Sequence, residues 1–165
     1  MIVLEPTSRA TSALRPPAAA AVVRSMIRVQ SLLATARVIW LSSTRPDGRP
    51  HVVPTWFDWD GETITVFTRA DAQKVRNVRC QPRVMVAIGI ADTTFEVELL
   101  EGEALVIDET SGHGLVRPSE GFVRKYAEAF QSNGFTIDGF ALEFPHAIRV
   151  RLTRLLDWGA REATF

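Results

Sequence analysis

Cysteine and lysine are scarce in this 165-residue chain, and each shortage narrows what the protein can be. The single cysteine, Cys80, excludes a disulfide bond within the chain. Lysine occurs only as Lys74 and Lys125, so arginine supplies nearly all of the positive charge. A lysine that falls within a recognisable motif is therefore a candidate functional residue.

The chain also lacks an excess of either charge and a long apolar run. Its 19 basic and 19 acidic residues give a formal net charge of zero, which provides no overall attraction to nucleic acid or an anionic membrane. No apolar stretch reaches the ~20 residues that a membrane-spanning helix needs. Residues 1–20 are rich in Ala, Pro, Ser and Thr and lack the basic segment of a signal peptide. We therefore expect a cytoplasmic protein with a flexible N-terminal arm over residues 1–20 and with no nucleic-acid or membrane partner.

Sequence motifs of common active sites are missing too. The chain contains no GxSxG, HExxH, P-loop or GxGxxG sequence. His51, His113 and His146 lie far apart, and none stands at metal-ligand spacing from another histidine, a cysteine or a carboxylate. We therefore predict neither a metal site nor a catalytic side-chain nucleophile.

What the chain does contain is a series of short strands separated by turns. Alternating apolar and β-branched residues predict strands over 37–43, 50–57, 63–68, 83–90, 94–107 and 147–156. Turns are predicted at 45–48 and 58–61, and helices at 21–36, 71–79 and 119–131. Six antiparallel strands with few helices indicate a small closed or nearly closed barrel, in a single domain over residues 21–160.

Three segments, in this order, resemble the pyridoxamine 5′-phosphate oxidase-like split-barrel superfamily of flavin and deazaflavin oxidoreductases. They are DGRPHVVPTWF at 47–57, KVRN with Lys74 and Asn77, and QPRVMVAI at 81–88. The resemblance implies a mainly β fold with flanking helices, a six-stranded antiparallel split β-barrel of the FMN-binding type. It also implies a homodimer that holds FMN or the deazaflavin coenzyme F420 at the subunit interface.

Lys74 is the site residue that the resemblance implies most specifically. It follows the strand over 63–68 at the offset that the family uses for the lysine on the cofactor phosphate. Thr68 and Arg69, at the end of that strand, add a hydroxyl and a guanidinium to the same neighbourhood. An ammonium, a guanidinium and the N–H groups at a helix start form an anion site with a physical basis. Arg49 is a second phosphate candidate.

The flat part of the cofactor has its own candidates. By the resemblance, Val53, Pro54 and Thr55 present backbone groups to the flavin ring. Trp56 and Trp158 either border the ring or serve in the core or the dimer interface, where tryptophan is common.

The resemblance implies an oxidoreductase that transfers a hydride between the bound cofactor and a small conjugated acceptor, with the cofactor supplying the chemistry. Gln73 and Ala72 stand where the oxidases have an arginine and a small hydroxyl residue. The oxidase's characteristic arginine-containing tail is not found, and Arg161 is the one residue that could fill its role. These departures favour a reductase over a pyridoxamine-phosphate oxidase. The alternative is a non-catalytic flavin, F420 or heme carrier of the same fold, in which His51, His113 or His146 would ligate the heme.

Overall fold

Strands and helices follow one another in the computed structural model, which describes residues 18–90, 96–108 and 116–156. In chain order the elements are α1 (Ala18–Thr35), β1 (Ile39–Thr44), β2 (Pro50–Thr55), β3 (Asp58–Trp59), β4 (Thr63–Thr68), α2 (Gln73–Cys80), β5 (Arg83–Ile90), β6 (Glu96–Ile107), α3 (Glu120–Lys125), α4 (Ala127–Asn133), α5 (Ile137–Glu143) and β7 (His146–Leu156).

All seven of these strands belong to one antiparallel sheet, in the order β2-β1-β5-β6-β7-β4-β3. The two edge strands, β2 and β3, are separated in the chain only by Trp56 and Phe57. Because neighbouring strands lie about 4.8 Å apart, so short a link joins opposite edges only if the sheet curls until those edges approach each other. The sheet is therefore a curled half-barrel, and the prediction of a mainly β, antiparallel barrel is confirmed.

The strand count differs from the predicted six because Asp58 and Trp59 form a strand instead of a turn. They pair with Thr65 and Ile64 of β4. The turn comes later, where Oδ1 of Asp60 accepts hydrogen bonds from the N–H groups of Glu62 at 2.9 Å and Thr63 at 2.6 Å. The predicted turn at 58–61 was therefore placed two residues too early.

The inside of the half-barrel forms the main hydrophobic core. In β1, Ile39 and Leu41 are fully buried, whereas Trp40 between them is 51% exposed. Val29 and Leu33 of α1 pack against this core from one side. Burying a side chain such as Leu33 contributes roughly 1.5–3 kcal/mol, so these contacts hold α1 to the sheet.

A second cluster, rich in aromatic residues, joins α3, α4 and α5 to the ends of β4, β6 and β7. Phe122, Tyr126 and Phe130 recur at every fourth position and are all buried, as the helix predicted over 119–131 requires. That helix is divided at Tyr126, whose φ of −113° and ψ of 23° lie outside the helical region. The tyrosine hydroxyl is held there by hydrogen bonds to the backbone of Arg37 and Phe57.

The ends of these helices follow ordinary capping rules. Ser119 is the N-cap of α3 and accepts a hydrogen bond at Oγ from the N–H of Phe122 at 3.0 Å. Gly134 ends α4 with a φ of +67°, which glycine adopts without steric cost. Helix α5 was not predicted, although Thr136 caps it through a 3.0 Å bond from the N–H of Gly139.

Helix α1 begins at Ala18, three residues before the predicted start. The rest of the predicted arm, residues 1–17, lies outside the described part of the chain. Among the helices that the structure describes, none is both long and apolar enough to cross a membrane.

Candidate functional site

A pocket of about 760 Å³ opens where the ends of β2 and β4 meet the start of α2 and the aromatic cluster. Its size is that of sites that bind cofactors or drug-sized ligands. The described residues that line it are Val38, Pro54, Thr55, Trp56, Phe67, Thr68, Arg69, Asp71, Ala72, Lys74, Phe122, Asn133, Phe135, Phe140 and Phe144.

Lys74 is the residue whose charge is least compensated in this pocket. Its half-buried ammonium makes no hydrogen bond or ion pair with any residue that the structure describes. Burial lowers the pKa of Lys74, and no nearby carboxylate raises it in return. A partly buried ammonium without a partner costs free energy, and an anion that entered the pocket would offset that cost.

A network of side-chain hydrogen bonds fixes the helix that carries Lys74. Asn77, one turn further along α2, is completely buried. Its Nδ2 donates to Oγ of Ser43 in β1 at 2.9 Å, and its Oδ1 accepts from Nε2 of Gln73 at 2.8 Å. Gln73 in turn accepts at Oε1 from Nη2 of Arg76 at 2.8 Å. Asn77 thus ties α2 to the sheet, and Lys74 is held at the pocket from a rigid base.

The polar neighbours of Lys74 complete one end of the pocket. Thr68, at the end of β4, is only 2% exposed, and its hydroxyl makes no hydrogen bond to a described residue. Ala72, the N-cap of α2, has no side chain that could accept from the N–H groups of the first helical turn. A hydroxyl, an ammonium and the start of a helix therefore converge where a phosphate oxygen would find several donors.

Arg69 is less available than Lys74. Its Nη2 lies 2.5 Å from Oε1 of Glu143 in α5, and its guanidinium carbon lies 5.9 Å from the ring centroid of Phe144. The Arg69 side chain is 63% exposed, so this ion pair is screened by solvent. Asp71 adds a carboxylate to the same rim. Arg69 can bind an anion only by sharing or leaving Glu143.

A flat aromatic surface forms the next part of the wall. Trp56 stacks on Tyr126 with ring centroids 4.7 Å apart and planes 14° from parallel. The Tyr126 hydroxyl accepts from the N–H of Phe57 at 3.0 Å and donates to the carbonyl oxygen of Arg37 at 2.9 Å. Burial raises the pKa of Tyr126 to about 12, so the phenol stays neutral at physiological pH. Tyr126 therefore acts as a rigid support for Trp56.

Phenylalanine side chains form the remaining wall. Phe140 lies at the centre, with Phe67, Phe135 and Phe144 within 5.7 Å of it by ring centroid. Asn133 is the polar side chain on this side of the pocket among the described lining residues. The wall therefore favours an apolar or aromatic ligand group over a charged one.

The match to a known family decides the classification. The sequence pattern described as pyridoxamine 5′-phosphate oxidase matches residues 26–137, well over half of the chain. The chain belongs to the pyridoxamine 5′-phosphate oxidase family. No curated protein matches the chain.

Solved structures share the fold of this chain. An F420 reductase is 24% identical, with a TM-score of 0.56 over 77% of this chain and 94% of its own. A FAD-binding protein of Mesorhizobium loti is 20% identical, with a TM-score of 0.53 over 79% of this chain and 89% of its own. A heme storage protein of Vibrio cholerae is also 20% identical, with a TM-score of 0.51 over 79% and 92%. At these identities the likeness establishes the fold, so the split-barrel prediction is confirmed.

Most of the residues predicted for the cofactor site lie around this one pocket. The lining residues include Pro54, Thr55, Trp56, Thr68, Arg69 and Lys74. The structure places these six residues around one pocket but does not test whether they bind a cofactor. Their roles in binding therefore stay predictions.

The other predicted residues lie elsewhere. Arg49 does not line the pocket; it stays in the β1–β2 turn, where its Nη2 and Nε lie 2.6 and 2.9 Å from Oδ2 of Asp47. Val53 does not line the pocket either, although its neighbour Pro54 does. Trp158 lies outside the described residues, as do His113 and Arg161.

Sequence reasoning missed the phenylalanine wall. Phe122, Phe135, Phe140 and Phe144 belong to different helices or to the links between them. Their density between residues 122 and 144 was a signal of a local aromatic cluster. No spacing rule, however, indicated that the cluster borders the end of β4.

Proposed function

We propose that this member of the family is an oxidoreductase that binds FMN or coenzyme F420 in the pocket described above. The observation that carries the proposal is the uncompensated Lys74 ammonium, which shares the pocket with Thr68, whose hydroxyl has no hydrogen-bond partner among the described residues, and with the start of α2. Both cofactors carry a phosphate attached to a flat tricycle. The polar end and the aromatic wall of the pocket fit these two parts of such a molecule.

Each part of the chain then has a defined role. Lys74, Thr68 and the first N–H groups of α2 bind the phosphate, and Arg69 contributes if it leaves Glu143. Pro54, Thr55 and Trp56 form a shelf for the tricycle, and the stacked Tyr126 keeps that shelf rigid. The phenylalanine wall excludes water from the reacting face. The cofactor itself supplies the hydride chemistry.

The lining of the pocket favours a reductase of small conjugated acceptors. A substrate that carries its own phosphate would need a second cationic pocket. Of the described cationic side chains, only Arg69 and Lys74 line the cavity, and both stand at the proposed cofactor phosphate. An apolar conjugated acceptor would instead stack beside the phenylalanine wall. The small side chain of Ala72, which lines the pocket at the oxidase hydroxyl position, supports the same choice.

We further propose a homodimer that closes the pocket. The outward face of β1 and β2 is apolar, with Trp40 51% and Val52 52% exposed. Trp40 lies opposite Pro54 in register, and Pro54 also lines the pocket. Val38, which is 42% exposed, links the same face to the pocket. A second copy packed on this face would cover apolar surface and complete the cofactor cleft at once.

The experiment is a titration of the protein with FMN and with F420, followed by assays of the loaded protein. We expect one cofactor to bind and, when reduced, to transfer a hydride to members of a panel of enones, quinones and linear tetrapyrroles. Failure of both cofactors to bind would overturn the proposal. Efficient oxidation of pyridoxamine phosphate with oxygen, without turnover of the panel, would overturn the reductase assignment.

A carrier without catalytic activity is the second candidate. The same pocket would bind the cofactor, and tight binding without turnover of any acceptor would support this role. A heme carrier is less compatible with the pocket, because neither His51 nor His146 is among its lining residues. If heme binds in this pocket, neither His51→Gln nor His146→Gln should therefore change its absorption spectrum.

A further inference from the structure

Two further nitrogen-bearing side chains, those of Arg45 and His51, are electrostatically coupled to each other or to Lys74 and have no role in the proposed cofactor site. His51 points to the more buried face of β2 and lies opposite Ser43 of β1. Ser43 is also the residue that Asn77 of α2 contacts at 2.9 Å. Lys74 lies one turn before Asn77, so the helix brings its ammonium toward His51. We name Arg45, His51 and Lys74 the cationic cluster.

Two atoms of the cationic cluster are buried without a hydrogen-bond partner among the described residues. They are Nε of Arg45 and Nδ1 of His51. Buried polar atoms are nearly always bonded, and each exception calls for a reason. Since Lys74 also lacks a partner, all three members of the cluster have donor or acceptor capacity to spare. Arg45 and His51 do not line the pocket, so an anion that satisfies this capacity has to extend from Lys74 beyond the pocket lining.

The charges that face His51 are nearly all positive. Burial lowers the pKa of His51, and the positive charges of Arg45, at the end of β1, and of Lys74, in α2, lower it further. The nearby turn holds Asp47, but its carboxylate is bound by Arg49 at 2.6 Å and is solvent-exposed. In the ligand-free protein the imidazole is therefore kept neutral at physiological pH.

We propose that Arg45 and His51 form an outer half of the anion site at Lys74, and that His51 takes up a proton from solvent when an anion binds there. The inference rests on the proposed function, because it needs an anionic ligand at Lys74. A bound phosphate or carboxylate adds negative charge beside the imidazole and so favours the imidazolium. The protonated ring then donates to the anion, as Lys74 and Arg45 do. The ligand class is a molecule with at least one phosphate, or with a phosphate followed by further acidic groups.

Proton uptake makes affinity depend on pH in a defined direction. The pKa of His51 is below its ordinary value of 6.5 in the free protein and is raised by the bound anion. Between these two values the ligand binds more tightly as the pH falls, by up to about tenfold per pH unit for one proton. Above the raised value the imidazole is neutral in both states, and this contribution disappears.

The test is calorimetric titration of FMN and of F420 into the full chain, in two buffers of different ionisation enthalpy, between pH 5.5 and 8.5. We expect wild type to take up a fraction of a proton and H51Q to lose that uptake together with the added affinity at low pH. R45Q should bind more weakly at every pH. R151Q removes a cation from β7, where Arg151 pairs with Glu103 at 2.6 Å, and should match wild type. The phosphate of free FMN itself titrates near pH 6, so the difference between wild type and H51Q, and not the pH profile of either protein alone, reports the contribution of His51.

A measurement on wild type guards against a variant that fails to fold. The chain has 3 histidines, so its imidazole resonances are few enough to follow by NMR. We expect the pKa of His51 to rise when FMN or F420 is added. Equal pH profiles for wild type and H51Q, or a His51 resonance whose titration is unchanged by a bound cofactor, would overturn this inference and leave the proposed function standing. If neither cofactor binds at any pH, both fail together.

Discussion

Replacing Lys74 with methionine should stabilise the ligand-free protein and weaken cofactor binding, so one side chain would move two properties in opposite directions. Methionine has a similar unbranched stem and lacks the ammonium. In the free protein that ammonium is half buried and has no partner among the described residues. In the complex it would be the main ligand of the phosphate.

The two effects have different sizes. Removing this unpaired charge should raise the free energy of unfolding by about 1 kcal/mol or less, because solvent screens a charge that is partly exposed. In a domain of this length each kcal/mol corresponds to about 2–4 °C in the melting temperature. The loss of one charge-assisted hydrogen bond costs about 1.5–3 kcal/mol of binding, or roughly 10- to 150-fold in affinity.

Lys125, the other lysine of the chain, provides a matched control. Its Nζ lies 3.6 Å from the centroid of the Phe57 ring and 3.4 Å from the carbonyl oxygen of Leu33. Lys125→Met removes these contacts, so it should lower the melting temperature and leave cofactor affinity unchanged. Thermal melts with and without cofactor, at about 100 times its Kd, separate the two effects, because ligand at that excess adds about 2.7 kcal/mol in wild type. The reasoning is refuted if Lys74→Met lowers the melting temperature of the free protein or binds cofactor as tightly as wild type.

Three other predictions concern the support of the site, the dimer and pH. Tyr126→Phe leaves the N–H of Phe57 buried without its 3.0 Å acceptor and should cost about 1–3 kcal/mol in urea unfolding; a change below about 0.5 kcal/mol would contradict this. Trp40→Glu places a charge on the proposed dimer face and should convert a dimer into a monomer in light scattering, whereas a wild-type monomer at micromolar concentration would refute the dimer. Because the pKa of His51 is lowered from 6.5, the unfolded chain binds that proton more readily, so the free protein should lose stability as the pH falls below 6.5. The His51→Gln variant should lose less stability over the same pH range. Wild type and variant with the same pH dependence of the melting temperature would contradict this prediction.

The sequence predicted the polar end of the site better than its walls. The strand over 63–68 was predicted from its clear alternation and is confirmed. The family resemblance then pointed to Thr68 at its end and to Lys74 beyond it, and both line the pocket. The two-residue strand β3 could not be predicted, since two residues show no periodicity. Its neighbour Asp60 closes the turn through hydrogen bonds that depend on backbone geometry.

Spacing rules could not predict the phenylalanine wall or the cationic cluster, for a different reason. Phe67 and Phe140 are brought together only when α5 folds back on β4, and α5 itself was missed because Gly139 interrupts its pattern. The charge of Lys74 acts on His51 because the Asn77–Ser43 hydrogen bond ties α2 to β1. Both features depend on tertiary contacts between segments that are far apart in the chain.

A crystal structure of the protein with FMN or F420 bound tests the central claim most directly. The account predicts a phosphate oxygen about 2.7–2.9 Å from Nζ of Lys74 and the tricycle against Trp56. A cofactor bound away from this pocket, or in it with the phosphate pointing away from Lys74, would contradict the account.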